Sequence, residues 1–181
     1  MHIIEEPALG GAPTRLKALT VPFAYPDGSH NCEALGIDAT TGKIYLTTKV
    51  AGTVCAVYEL ETPLSGTAVK GAATARKIAD LTVPTVTAMD IDPTGTRAVL
   101  LAGGAALAFT RASGQEWAAA FAAKPRRIPV PRGKQLEALC FAADGVTLHL
   151  TSETGKTLPA DPTPFFVVPL AAEPATKGNG Q

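Results

Sequence analysis

The chain has 181 residues, 46% of them hydrophobic, and its 16 Lys and Arg balance 16 Asp and Glu. That is the length of one domain with enough apolar residues for a sizeable core. Zero net charge removes the basic excess expected of a nucleic-acid or anionic-membrane partner, and no apolar run approaches the roughly 18 residues of a membrane helix.

In chain order, the start MHIIEEPALGG has neither the basic n-region nor the apolar h-region of a signal peptide. Residues 1–6 read as the end of a strand and Pro7–Pro13 as a loop. Arg15–Val21 has partial apolar alternation and reads as an exposed edge strand. PDGSHN (Pro26–Asn31) is a turn cluster. A tight hairpin follows, Glu33–Asp38 and Lys43–Lys49 about a TTG turn, then strands at Thr53–Leu60 and Arg76–Val83 separated by a loop at Thr62–Thr74. The unit restarts with Thr87–Asp92 and Arg97–Ala102 about PTG, then Ala105–Thr110 and Arg126–Val130. Between the last two, Ser113–Ala123 reads as a helix. Ser113 and Glu116 have capping-box spacing, Trp117 and Phe121 share a face, and Pro125 stops it. A third unit runs through Glu137–Ala142, Val146–Ser152 and Pro164–Leu170, before a polar tail.

The hairpin is therefore written three times: EALGIDATTGKIYLTTK, TAMDIDPTGTRAVLLAG and EALCFAADGVTLHLTSE. The first and third copies align without a gap from Glu33 and Glu137 to Lys49 and Glu153. A repeat of about 50 residues with four strands per unit predicts an all-β chain of propeller blades. The blades span about 33–83, 87–130 and 137–170 in a single domain, with mostly apolar inner strands buried on both faces. Three blades cannot close a ring, so they form half of a six-bladed one. The last blade lacks an outer strand, and Arg15–Val21 is an outer strand without a blade. Two copies head to tail could lend each other that strand, or the chain is the C-terminal half of a longer protein.

These residues resemble a family of bacterial, mainly actinobacterial, propeller proteins of unassigned function. The family is related in pattern to the esterase-like phytase and to WD40/YncE-like propellers. The likeness lies in Tyr25–Lys49, Val86–Arg97 and Lys134–Glu153 and covers most of Tyr25 to Leu170. It matches the family's C-terminal half; the N-terminal half with its DIGDN-type motif has no counterpart here. Asn31-Cys32 stand where the family has an acidic residue and Ala, and Met89 where it has a small residue. The resemblance implies a six-bladed ring and an exported or cell-envelope location.

Antiparallel pairing sets the start of each first strand beside the end of the second. Glu33 is then expected opposite Lys49, Asp38 opposite Ile44, and Glu137 opposite Glu153. Innermost strands line a propeller's channel, so Glu33, Thr87 and Glu137 gather at one channel mouth with Lys49 and Glu153, and His30 and Asn31 sit in the loop above. Close carboxylates repel unless a cation or shared proton relieves them. Glu33, Glu137 and Glu153 are thus candidate ligands for calcium, and the phytase-like resemblance implies the same ion. The plain alternative is a Glu33–Lys49 ion pair at the mouth of a water-filled channel.

The remaining features point to structure. Cys32, Cys55 and Cys140 are an odd set without CxxC spacing, which suits isolated buried thiols. Lys124, Arg126, Arg127, Arg132 and Lys134 read as a solvated blade edge. His149 reads as a packed histidine, and Asp92 as a turn cap before Pro93-Thr94-Gly95. Ser29, His30 and Ser152 form no GxSxG elbow or triad spacing. With no catalytic residue to name, the leading function is a non-enzymatic module binding a small ligand or a protein. The alternative is a calcium-dependent phosphoester hydrolase of the phytase-like kind.

Overall fold

The structure is a computed structural model, describing residues 1–5, 7, 10, 15–61, 72–131, 135–153 and 164–170. Most of the loops expected at Pro7–Pro13 and Thr62–Thr74, the basic residues Arg132 and Lys134, and the polar tail lie outside the described residues.

The protein is all-β with one short helix. Strands β1 (His2–Ile4) and β2 (Ala18–Thr20) pair antiparallel with each other. Next, β3 (Phe23–Ala24), β4 (Cys32–Asp38), β5 (Lys43–Thr48), β6 (Val54–Leu60), β7 (Ala73–Thr74) and β8 (Arg76–Thr82) follow. They build an antiparallel sheet in the order β4-β5-β6-β8, with β3 and β7 pairing parallel beside it. A second four-stranded sheet is formed by β9 (Val86–Ile91), β10 (Arg97–Ala102), β11 (Ala105–Thr110) and β12 (Arg126–Ile128), also in sequence order. The third sheet is β13 (Leu136–Phe141), β14 (Thr147–Ser152) and β15 (Phe165–Pro169). These strands match the expected ones to within a residue or two.

Three expectations change. Arg15–Val21 is not an orphan strand: only Ala18–Thr20 is extended, and it is already bonded to β1, while Val21 is fully buried. Its partner is therefore supplied from within the chain. Residues 73–74, expected as loop, form β7. The helix α1 is Trp117–Ala122 rather than Ser113–Ala123. Ser113 and Gly114 form a turn, with Gly114 at φ 73°, so the chain cannot yet be helical there. Glu116 is the N-cap and makes no side-chain cap bond; Gln115 instead accepts from the Ala112 amide at 2.9 Å.

The sheets stack face to face. Between the first and second, Ala34, Tyr45, Val57 and Leu81 meet Val86, Met89, Ile91, Leu100 and Phe109, with Trp117 and Phe121 of α1 added at one edge. Between the second and third, Ala88, Val99, Leu101 and Ile128 meet Leu136, Leu139, Leu148, Leu150 and Val168. The far face of the first sheet, with Ile44, Leu46, Tyr58 and Leu60, is partly covered by Met1, Phe23 and Tyr25. Contrary to expectation, β4 is not buried on both faces: Leu35 and Ile37 are exposed. Lys124, Arg126 and Arg127 are exposed or nearly so along β12, as a solvated edge should be.

Buried carboxylates lock the hairpin turns. Asp38 is fully buried and accepts from the Thr40 amide (3.0 Å) and hydroxyl (2.5 Å), Trp117 Nε1 (3.1 Å) and Arg111 Nη1 (3.0 Å). The Arg111 guanidinium lies 4.6 Å over the Trp117 ring and also donates to the Gly95 carbonyl, so one residue joins two sheets and the helix. At Gly95, φ is 66° and a Cβ would come within 2.8 Å of Arg111 and Asp38, so only glycine fits. Asp92 caps its turn as expected, accepting from the Thr96 amide at 2.8 Å and from Thr94 Oγ1 at 3.1 Å. Arg97 then reaches from Asp92 to the Gly145 carbonyl at 2.6 Å, joining the second turn to the third.

Burial pushes the Asp38 carboxyl up, but the Thr40 and Trp117 hydrogen bonds and the Arg111 charge outweigh it and hold its pKa below the ordinary value. Asp38→Ala leaves the partly buried Arg111 without its carboxylate and should cost about 3 kcal/mol in urea unfolding at neutral pH. Because the folded pKa is the lower one, this stability is present above the unfolded value and is lost as pH falls through the folded one. The gap between wild type and variant should therefore narrow below about pH 4.

Candidate functional site

The residues expected at the channel mouth owe their position to a backbone irregularity that recurs in β4, β9 and β13. The first strand of each of these three sheets carries a β-bulge at the same place. Cys32 pairs with Thr48 and Ala34 with Thr47, leaving Glu33 over. Val86 pairs with Ala102 and Ala88 with Leu101, leaving Thr87 over. Leu136 pairs with Ser152 and Ala138 with Thr151, leaving Glu137 over. The expected register was one residue off from the turn onward, and the bulge shifts it by one more at the strand end. Glu33 does not pair with Lys49, nor Glu137 with Glu153, and Asp38 lies opposite Lys43 rather than Ile44. Beyond each bulge the backbone bonds resume, Lys49 N to Asn31 O at 2.8 Å and Glu153 N to Gln135 O at 2.7 Å.

A bulge adds one residue and re-aims the chain around it. Its effect is visible in the core. Cys32 joins the cluster on the outer side of the first sheet and Ala34 the one toward the second sheet; Val86 and Ala88 divide in the same way. The extra residue is thus freed from both faces, and its side chain goes to the rim.

At that rim Lys49 Nζ donates to Glu33 Oε2 at 2.5 Å, and Asn31 Nδ2 reaches Glu33 Oε1 at 3.5 Å. The hydrogen bond to Glu33 raises the Lys49 pKa above its ordinary value. Partial burial works against it, and the charges of Glu33, Glu137 and Glu153 add to it. Thr87 Oγ1 donates to the Leu136 carbonyl at 3.0 Å, tying the second bulge to the third. The structure therefore brings Glu33, Lys49, Glu137 and Glu153 into one electrostatic group with Thr87 beside it. Among the described residues Glu33 is the carboxylate that pairs directly with the Lys49 ammonium, while Glu137 and Glu153 act on it through their charge alone. The three carboxylates do not form the expected calcium ligand set: among the described residues no three His, Cys, Asp or Glu side chains are placed to hold a metal ion.

His30 belongs elsewhere. Its Nε2 lies 2.9 Å from Asp27 Oδ1 and 3.0 Å from the Tyr58 hydroxyl, which donates to Asp27 Oδ2 at 2.7 Å. Tyr25 sets its ring edge-on to both His30 and Tyr58. The Tyr58 hydroxyl, then His30, hold the Asp27 carboxyl below its ordinary pKa, and burial pushes both tyrosines up. The spacing of Asp27 and His30 in PDGSH was legible; Tyr58, on β6, was not. This cluster pins the Pro26–Asn31 turn onto the first sheet beside an open cleft of about 450 Å³ lined by Phe23, Tyr25, Ser29 and His30.

Two more acids, buried Glu59 and half-buried Asp90, are held by the fold. Glu59 is 4% exposed and holds Arg76 (2.6 Å), Tyr45 OH (3.1 Å) and Lys43 (3.3 Å). Asp90 accepts from the Phe141 amide at 2.7 Å, bonding the second innermost strand to the third. Both are structural.

In comparisons with known proteins, no family model and no curated protein matches the chain.

Lys49→Met removes the cation from among three carboxylates. Salt screens the repulsion left behind, so the variant's melting temperature should rise with added sodium chloride while that of the wild type stays nearly level. Parallel salt dependence in the two proteins would show that the three charges do not meet at Lys49.

Proposed function

We propose that the chain is a non-enzymatic binding module of the β-propeller type, taking its ligand or protein partner at the bulge-lined mouth. The single observation carrying this is the recurrence of the bulge. Three sheets with one hairpin register put their left-over residue at the same end, Glu33 and Glu137 in the outer two and Thr87 in the middle one, so the same frame presents an acidic or a neutral side chain. That is how a repeat scaffold presents a recognition surface.

Three blades make half of a six-bladed ring, and the two terminal sheet faces are where the rest of the ring attaches. The rim carries Glu33, Glu137 and Glu153 against one lysine, so it favours a ligand with positive charge, such as an amine or a basic peptide segment. The hydrolase reading has less behind it. Of the carboxylates that would bind calcium, Glu33 is engaged with Lys49, and among the described residues no rim residue pairs a nucleophile with a base. In the described residues no helix is long and apolar enough to cross a membrane.

Isothermal titration with spermine as the probe, at low ionic strength, tests this reading. Binding should weaken as salt is added and fall at least about tenfold in a Glu137→Gln, Glu153→Gln double variant, equivalent to about 1.4 kcal/mol. Equal binding by wild type and double variant would remove the mouth as the site. Calcium-dependent turnover of a generic phosphoester, abolished by chelation, would displace the binding-module reading in favour of the hydrolase.

A further inference from the structure

Gly36, Asp90 and Cys140 hold one place in the repeat, each three residues past its bulge. In the first two sheets that place is the point of contact with the next innermost strand. A Cβ built on Gly36 would lie 3.3 Å from both Met89 and Ile91, and Asp90 accepts from the Phe141 amide at 2.7 Å. The receiving residues are also equivalent. They stand two and four places past the bulge: Met89 and Ile91 in the second sheet, Leu139 and Phe141 in the third. Met89, Ile91 and Leu139 are at most 7% exposed.

Among the described residues nothing fills the same places at the two ends of the stack. In the first sheet the receiving pair is Leu35 and Ile37, which are 43% and 42% exposed. In the third sheet Cys140 is exposed and reaches no following strand. The register Cys140–His149–Val167 extends its face across β14 to β15, where Phe165 and Val167 are 60% and 58% exposed. One chain thus presents one unmatched donor face and one unmatched receiving face of an interface that it already forms twice internally.

We propose that the third sheet of one copy stacks on β4 of a second copy, with Cys140 seated against Leu35 and Ile37 as Gly36 is seated against Met89 and Ile91. The occupant is a second copy because the two unfilled faces are complementary members of the same repeating contact. Leu35 and Ile37 on one face and Phe165 and Val167 on the other are exposed apolar side chains, so association is driven by burial. The contact is heterologous, and a head-to-tail contact closes when the rotation allows it. Three sheets per copy close as a pair if the ring reading above is right; the contact itself does not need that reading.

Thiol trapping tests the contact. Leu35→Cys should form a covalent dimer with Cys140 under mild oxidation or with a short bismaleimide, and adding Cys140→Ser should abolish it. Buried Cys55 and half-buried Cys32 stay constant in both proteins. Light scattering after size exclusion should give twice the 18.6 kDa chain mass for the wild type. A Phe165→Asp, Val167→Asp variant with unchanged circular dichroism should elute as a monomer. A wild type that stays monomeric at every concentration overturns the contact, as does cross-linking of unsubstituted protein through Cys140 of both copies. A ladder of larger oligomers would overturn closure as a pair. Spermine binding by a monomer would leave the mouth reading standing while this inference fails.

Discussion

Each of the three large sheets has two apolar faces, and one neighbouring sheet can cover only one of them. That constraint orders the molecule. The second sheet satisfies it completely, giving Val86, Met89, Ile91 and Leu100 to the first and Ala88, Val99 and Leu101 to the third. The outer sheets satisfy it once each within the stack. The short pair β1–β2 and the Phe23–Tyr25 segment cover part of the far side of the first sheet, and the far side of the third stays open around Phe165 and Val167. Stacking is non-directional, so it needs polar bonds to set the sheets' relative placement. Arg111 between Asp38 and Gly95, Arg97 between Asp92 and Gly145, and Asp90 on the Phe141 amide provide them.

The candidate site follows from the same architecture. Close approach of innermost strands requires small or accommodating residues such as Gly36, with Met89 and Ile91 within 3.3 Å of its missing side chain. At the end of each of these strands the bulge releases one residue from the packing. Glu33, Thr87 and Glu137 can therefore be polar, because none has to fit an apolar sheet face. The rim is polar for a physical reason: it is where core packing stops while backbone pairing continues, as the Lys49 and Glu153 amide bonds show.

Much of the fold was legible in the three hairpin copies. Asp before a Gly-containing turn, with β-branched and apolar residues on either side, reads as a hairpin wherever it occurs, and strand limits came out within a residue or two. The site was legible as a set of residues and illegible as a geometry. Glu33 looks like any polar residue at a strand end, and nothing local marks it as the extra one in a bulge. His30 was misplaced because its partner Tyr58 is far along the chain. The capping-box spacing of Ser113 and Glu116 misled because Gly114 takes a left-handed turn before the helix can start.

The amino-acid sequence by itself determined the all-β class and the three hairpins with their turns. These depend on local turn chemistry and residue alternation, which neighbours in sequence suffice to specify. Only the tertiary structure decided the register, the company Lys49 keeps, and which faces remain uncovered. Each of those depends on strands that meet across the sheet stack, and contacts between distant segments leave no periodic trace in the chain that makes them.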